Sequence, residues 1–485
     1  MSKKWIRFGG LAAALAVATA TAAWTCAAFA QSVEEEGAAL WRKALAMERK
    51  SFDTIDLCGG SSHMQGICVD ENLDYMYFSY TDVLAKLDMR TGKVVASVGG
   101  FGEGSFGKPG GAHLGCLEYH DGIVDGSLEY KSPGAKFFLA AFDARKMTRV
   151  GMDCKEMEEG VNAILLAEPT YDFRAPMLFE NTDSPEGFAQ NEKNDGHLFA
   201  CSGIDGVTVG RKPGDASGEL YVIVAYGVYG SKAFKGRYDN DYNVLQYYRL
   251  SDVWDAETKT LVGTWNRRFT YERGLSASYE PGELLRAEST LYAWTGNTLY
   301  GAQNIEYEWN TGNLVLYTYD GTKGFGKNMY VIDGSRAPEL KELQVGQRNE
   351  DSDAETRAFA KKIAAVYTNL QGARYFDMDQ AKNASTGEYP IVAHAALKCV
   401  CGDAKSHDCA EGETWGATGV SKKDYPICSA QFCAAPTTGI CWIGGDDAGN
   451  DYFYVANGKT KVGLYKRATG PDGAYVWTDL SKRAD

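Results

Sequence analysis

Beyond its first 30 residues the chain has no apolar run near the roughly 18 residues that a membrane span needs. Nor does it carry a tract of basic residues. The opening segment reads as a secretory leader. Lys3, Lys4 and Arg7 form a positive start, residues 11–23 an apolar stretch, and Ala28-Phe29-Ala30 a small-x-small cleavage pattern before Gln31. Removing it takes away three of the 50 basic residues and none of the 64 acidic ones, so the net charge goes from −14 to −17. An excess of acid on that scale excludes nucleic acid and anionic membrane surfaces as natural partners. The expectation is a secreted or cell-envelope protein, periplasmic where the host has an outer membrane, without a membrane span and monomeric.

Familiar catalytic signatures are missing too. There is no G-x-S-x-G elbow, no P-loop and no H-E-x-x-H. Gly102, Gly104 and Gly107 match G-x-G-x-x-G, but Lys108-Pro109-Gly110-Gly111 follows where a helix should begin, so the dinucleotide context fails. Asp239-Asn240-Asp241-Tyr242-Asn243 opens like a calcium loop, then has Val244 where glycine is needed and Leu250 where a bidentate glutamate is needed. Asp446, Asp447, Asn450 and Asp451 make a similar acidic hairpin, and both stretches read as ordinary polar turns. Serine-triad, NTPase, zinc-protease and Rossmann-type dehydrogenase chemistry are thereby disfavoured.

What the chain does have is one phrase repeated five times. It reads His63-Met64-Gln65-Gly66-Ile67, Ala112-His113-Leu114-Gly115-Cys116, Gly203-Ile204-Asp205-Gly206-Val207, Gly301-Ala302-Gln303-Asn304-Ile305 and Pro436-Thr437-Thr438-Gly439-Ile440. Each is followed by short alternating strands and turn signals: 66–70, 75–80, 83–88 and 94–98 after the first, for example. The pattern predicts an all-β fold, a β-propeller of five blades, with the phrase leading into the innermost strand of each blade. Successive phrases lie 49, 91, 98 and 135 residues apart, so long insertions break a 40–50-residue repeat. Residues 372–397 have room for a sixth blade. The expected outer strands are 162–167 for the second blade and 261–265 for the third.

The expected organisation is a leader over 1–30, a helical segment over 31–52 and a single propeller over 53–485. Within the propeller, Ser352 and Glu355 form a capping box for a helical insertion over about 352–370. A cysteine-rich insertion covers about 399–433. Eleven cysteines follow the leader, and in an exported chain they are expected to form disulfides with one thiol left over. The spacing from Cys399 to Cys433 matches no usual zinc signature.

Residues just before each inner strand converge on the central channel. His63 and His113 are candidates for general base and acid, and Asp205 for a base, a metal ligand or the partner that orients a histidine. Gln65, Gln303 and Asn304 suit hydrogen bonds to sugar hydroxyls. Glu129 and Glu306, with Glu118, are carboxylates set between apolar strand residues, candidates for substrate contact or for the paired carboxyls of glycoside hydrolysis. The bland alternative is that these groups pair with one another and plug the channel.

The phrases around Gln65, Gly126-Ser127-Leu128-Glu129-Tyr130-Lys131, Cys201-Ser202-Gly203-Ile204-Asp205 and Tyr300-Gly301-Ala302-Gln303-Asn304-Ile305-Glu306-Tyr307 resemble exported bacterial β-propeller proteins of an uncharacterised family. That resemblance implies the fold and no particular chemistry. The leading expectation is an exported carbohydrate-active enzyme, a glycan hydrolase or lyase, acting on an extracellular small molecule or polysaccharide, with Arg237 and Arg286 available to neutralise a uronate. Two alternatives stand beside it: a non-catalytic propeller binding a glycan or protein, and a calcium-dependent phosphoesterase or lactonase with Ca²⁺ at the axis.

Overall fold

The computed structural model describes residues 40–53, 64–100, 112–130, 136–166, 203–227, 242–255, 260–261, 267–268, 285–295, 302–318, 329–342, 391–398, 400, 429–430, 439–457, 460–471 and 473–482. Five antiparallel sheets, each starting with one of the repeated phrases, form a five-bladed propeller. Blade 1 runs Ile67–Val69, Tyr75–Tyr80, Val83–Asp88 and Lys93–Gly99 from the axis outward. Blade 2 runs Ala112–His120, Ile123–Tyr130, Lys136–Asp143 and Val161–Leu166, and blade 3 Gly203–Gly210, Tyr221–Gly227, Tyr242–Arg249 and Ser289–Trp294. Blade 4 has Ala302–Glu308, Asn313–Thr318 and Met329–Ile332, with the short pieces Leu397–Lys398 and Ser429–Ala430 sharing its outer edge. Blade 5 has Ile440–Gly445, Asp451–Asn457, Lys461–Thr469 and Tyr475–Asp479.

Burial follows the depth of a strand in the ring, and where neighbours cover both faces a strand can be apolar throughout, as the third strand of blade 4 is. Met329–Ile332 is buried at every position and Tyr475–Asp479 at none. The cores lie between blades. Blades 1 and 2 enclose Tyr77, Leu84, Val98, Leu117, Leu128 and Phe138, and blades 3 and 4 enclose Ile223, Tyr247, Ile305, Leu316 and Tyr330. Closing the ring in this way leaves no exposed inner sheet edge.

The ring is closed by the chain's own beginning. Ser51–Asp53 pairs antiparallel with Lys461–Thr469 of blade 5, Phe52 opposite Val462. This strand crosses the boundary expected between helical segment and propeller. Ahead of it the helix at 40–46 packs Leu40 and Ala44 into the core shared by blades 5 and 1, and Trp41 stacks on Tyr452 at 5.0 Å.

Two expectations change. The outer strand of blade 3 is Ser289–Trp294, while Leu261 forms a separate two-residue hairpin with Trp254–Asp255. Space for a sixth blade is instead used by Ile391–His394, which extends blade 3, and by Leu397–Lys398 in blade 4. The insertion helix over 352–370 lies outside the described residues, as does most of the 399–433 segment. Of the cysteines, Cys68, Cys116, Cys154 and Cys441 are described and buried, and Cys68, Cys116 and Cys441 are free thiols. Buried, with Cys116 donating to Asn304 Oδ1 at 3.2 Å, they are inert side chains of the interior.

Candidate functional site at the channel

The recurring glycine is a packing requirement. A Cβ on Gly66 would lie 2.6 Å from the Gly115 carbonyl oxygen, and one on Gly115 would lie 2.5 Å from Ser127 Oγ and 2.9 Å from the Asp205 carbonyl oxygen. Inner strands therefore approach backbone to backbone at this level, which only glycine permits. Blade 4 has Asn304 instead, and its Nδ2 donates to the carbonyls of Gln65 and Gln303, both at 2.6 Å. It also accepts the Cys116 thiol at 3.2 Å. Asn304 is wholly buried and ties blades 1, 2 and 4 together.

Beside this crossing the strands bulge. In blade 3 Ile204 faces Tyr226 and Gly206 faces Ala225, leaving Asp205 as the extra residue. In blade 4 Ala302 faces Thr318 and Asn304 faces Tyr317, leaving Gln303 extra. Blade 2 has its own irregularity between Leu114 and Leu117. A bulge re-aims the side chain it carries. Here it turns Asp205 and Gln303 toward each other, so that Gln303 Nε2 donates to Asp205 Oδ2 at 2.7 Å.

His113 sits among these groups. Its cross-strand neighbour is Glu129. Imidazole Nδ1 lies 3.3 Å from Asp205 Oδ1 and 3.6 Å from Glu129 Oε1. Glu129 Oε2 accepts the backbone N–H of Ile204 at 3.2 Å. On the other side of the ring, His113 Nε2 is 3.1 Å from Gln65 Nε2. The side chains of Glu129 and Asp205 are 0% and 2% exposed, whereas His113 keeps 14%. Thus four blades supply one connected chain, Gln65–His113–Asp205–Gln303, with Glu129 as a second acceptor. The imidazole edge is its most accessible part.

An amide nitrogen can only donate, so the Gln65 contact makes His113 Nε2 the acceptor and leaves the proton of the neutral ring on Nδ1, the nitrogen nearest the two carboxylates. Such an imidazole can take a proton at Nε2, and the resulting cation is balanced by Asp205 and Glu129. The two carboxylates face the same nitrogen. They do not flank an open space in the way paired hydrolytic carboxyls flank a glycosidic bond.

Glu306 is not part of this cluster. It lies three residues beyond Gln303, where the side chains at the second position past the crossing form a deeper layer: Cys68, Glu118, Thr208, Glu306 and Cys441. Thr208 Oγ1 donates to Glu118 Oε1 at 3.3 Å, and the Trp442 N–H to Glu306 Oε2 at 3.2 Å. Burial pushes Glu118 up to about 7, against the opposing pull of His120 and the Thr208 hydroxyl. It pushes Glu306 well above the carboxylate range, and Glu118 adds to the shift. The Cys68 and Cys441 thiols are raised by burial as well, with the neighbouring carboxyls contributing. Burial therefore favours the neutral form throughout this layer, most strongly at Glu306 and the two thiols.

His63 and Thr438 lie outside the described residues, as does Arg237. Arg286 is exposed just ahead of the outer strand of blade 3. Two buried clusters went unnoticed in the sequence. His120 Nε2 pairs with Asp125 Oδ2 at 2.9 Å at the far end of the blade 2 inner strand. Arg467 is buried between Glu308 and Asp451, joining blades 4 and 5. Each partner is distant in sequence or hidden among ordinary strand residues, so no local motif marks them. The hairpin at Asp446 is a turn, its carboxylate accepting from the backbone of Ala448 and Asn450 and from Tyr452. Among the described residues no group of three or more His, Cys, Asp or Glu side chains could hold a metal ion, so they give the calcium reading no ligand set. Among them, too, no helix is long and apolar enough to cross a membrane.

The fold and site define a five-bladed propeller with a buried histidine–carboxylate cluster on its axis. No protein-family model and no curated protein matches the chain. Among solved structures it is similar to the PQQ domain of pyranose dehydrogenase from Coprinopsis cinerea, at 10% identity over 85% of this chain and 87% of that one, with a TM-score of 0.30. The extracellular domains 1–2 of Drosophila semaphorin 1b match at 10% identity over 89% and 80%, TM-score 0.30. The β-propeller domain of Cps50 (Swd1) from Myceliophteria thermophila matches at 10% over 85% and 98%, TM-score 0.25. Likeness at this level assigns no activity.

Proposed function

We propose that the protein is an exported carbohydrate-active enzyme in which His113 acts as general base at the mouth of the channel. The observation that carries this reading is the His113 imidazole itself, held through Nδ1 by two buried carboxylates with its edge still exposed. Buried charge is costly unless it serves a purpose, and an oriented imidazole beside carboxylates serves proton transfer. The amides of Gln65 and Gln303 supply donors and acceptors of the kind that match sugar hydroxyls.

Of the two carbohydrate chemistries, proton abstraction fits better than double-carboxylate hydrolysis. A base at His113 Nε2 removes the proton beside a carboxyl of the sugar, the C–O bond to the next sugar at the β carbon breaks as the double bond forms, and the departing oxygen takes up the proton from the imidazolium or from water, leaving an unsaturated ring. Hydrolysis by two carboxyls would need Asp205 and Glu129 on opposite sides of the bond, but both are turned to His113.

The test offers the purified mature protein a panel of neutral and acidic polysaccharides, following reducing ends together with ultraviolet absorbance of an unsaturated product. Expected is absorbing product from wild type and none from His113→Ala. Reducing ends without absorbance would favour the hydrolase. Product undiminished in His113→Ala would overturn the assignment of the base. No product from any glycan would favour the non-catalytic binding propeller.

A further inference from the structure

We infer that Gln65 is a positioning residue whose side-chain amide turns over with the protonation state of His113, presenting N–H to the neutral ring and oxygen to the imidazolium. This rests on the His113 reading of the site and adds to it a second moving part.

The geometry fixes the neutral state. Asp205 Oδ1 and Glu129 Oε1 both lie at Nδ1, and both can only accept while ionised. Proximity alone does not place the ring proton, but Gln65 Nε2 has only hydrogens to give, so its contact with His113 Nε2 leaves the ring proton on Nδ1, and Nε2 offers a lone pair. Gln65 Nε2 at 3.1 Å donates to it. In this state Gln65 occupies the very atom that must receive a proton.

Protonation at Nε2 reverses the requirement. The new N–H would face an amide NH₂, donor against donor. A half turn of the terminal amide brings Oε1 to Nε2 instead, and rotation about that sp³–sp² bond is soft. Gln65 Oε1 is buried and has no hydrogen-bond partner among the described residues, so no existing bond to them opposes the turn.

Nothing else about Gln65 needs to move. Its backbone N–H donates to the Ser79 carbonyl at 2.9 Å, and its own carbonyl accepts Asn304 Nδ2 at 2.6 Å. Groups facing His113 from the packed elements are Gln65 from blade 1, Glu129 from blade 2, Asp205 from blade 3 and, through Asp205, Gln303 from blade 4. Among the described residues, the Gln65 amide lies against Nε2 and can serve it in both of its states. An acceptor there lowers the cost of the charged ring, and a donor keeps the neutral ring in a single tautomer with its basic nitrogen outward.

Nitrogen NMR of histidine-labelled full-length mature protein tests this without any substrate. His113 is picked out of the six histidines by the resonance missing from His113→Ala. Expected is a neutral ring protonated at Nδ1. Gln65→Glu should move its titration midpoint up by about one unit or more, because a carboxylate then meets Nε2. Gln65→Leu, which offers no acceptor to the imidazolium, should move the midpoint down. Thermal midpoints close to wild type verify that both variants fold, and Gln65→Asn replaces Gln65→Leu if the latter does not. A wild-type ring protonated at Nε2, or a midpoint unmoved in both variants, overturns the inference. If the NMR result holds and no glycan is turned over, the amide reading stands and the carbohydrate reading falls.

Discussion

Two polar layers line the same channel, within a few residues of each other, and they solve the problem of buried polarity in opposite ways. At the mouth, carboxylates are kept beside a histidine, and each charge has a counterpart from another blade: Asp205 with His113 and Gln303, Glu129 with His113 and the Ile204 N–H. In the deeper layer of Cys68, Glu118, Thr208, Glu306 and Cys441 the two carboxyls accept a hydroxyl and a backbone N–H, and burial outweighs the pull of His120 on Glu118 and favours the neutral forms. The first arrangement holds an imidazole beside two buried carboxylates with 14% of its side-chain surface still exposed. The second fills the axis with groups that hold their protons and seals it.

The largest expected effect separates the layers by activity. Asp205→Asn keeps the shape but places an amide where Oδ1 and Oδ2 receive the His113 and Gln303 donors. One of them must then meet an N–H, and the tautomer of His113 is no longer enforced. Turnover should fall about 10²–10⁴-fold, the usual range for disabling a general base. Glu118→Gln, in the deeper layer, should change turnover by less than about twofold. Equal losses in both variants would show that the layers act as one unit.

Stability separates them next. Burial holds Glu118 at about 7 in the folded protein, well above the 4.5 of an ordinary glutamate. Between these values the unfolded chain releases a proton that the folded chain keeps. Folding free energy therefore falls as pH rises from about 4.5 to 7 and stays lower above that, by a total on the order of 3 kcal/mol. Glu118→Gln removes the titrating group. Chemical denaturation should find it more stable than wild type at pH 8 and nearly equal at pH 4.5. A wild-type stability that rises over this interval as steeply as in the variant would sink the neutral-layer reading.

How far the sequence discloses these layers depends on backbone regularity. Strands Tyr75–Tyr80 and Val83–Asp88 match the expected boundaries residue for residue, because alternation and a tight turn fix the register. Blade 3 is misread at its edge because 261–265 and Ser289–Trp294 both carry strand-like apolar residues, and period alone does not say which one reaches the sheet. The mouth is legible because a glycine marks each crossing and the polar residue before it differs from blade to blade. The deeper layer follows from the same alignment: two residues past Gly66, Gly206, Asn304 and Gly439 stand Cys68, Thr208, Glu306 and Cys441, as strand period requires. Only Glu118 escapes, one residue further along, because the bulge in blade 2 adds a residue. The contacts of His113 with Asp205 and Glu129 were beyond reach, since which way a bulge turns a side chain is decided by packing between blades.

Gly115 lies between the layers, and Gly115→Ala should disturb both. Its Cβ would meet Ser127 Oγ at 2.5 Å and the Asp205 backbone at 2.9 Å. Backbone cannot yield as a flexible side chain does, so a loss of about 1–3 kcal/mol is expected, the usual cost of overpacking. Because the clash falls on Asp205, turnover should drop as well. A full loss of activity with the denaturation midpoint unchanged would mean that the blades slide apart at no cost, contrary to the close approach seen here.

The smallest effect concerns the thiols. Cys441 is buried, and its proton is held by its surroundings rather than by a charged partner. Cys441→Ser replaces one neutral donor by another of similar size, at about 1 kcal/mol for the less favourable burial of a hydroxyl. The fall in stability between pH 4.5 and 7 should survive unchanged, because the carboxyls that cause it remain. In the native wild type the Cys441 thiol should resist alkylation at neutral pH and react once the protein is unfolded, since the thiolate is the nucleophile and burial disfavours it. Fast modification of Cys441 in the native state would place a charged sulfur in the deeper layer, and the contrast with the mouth would then vanish.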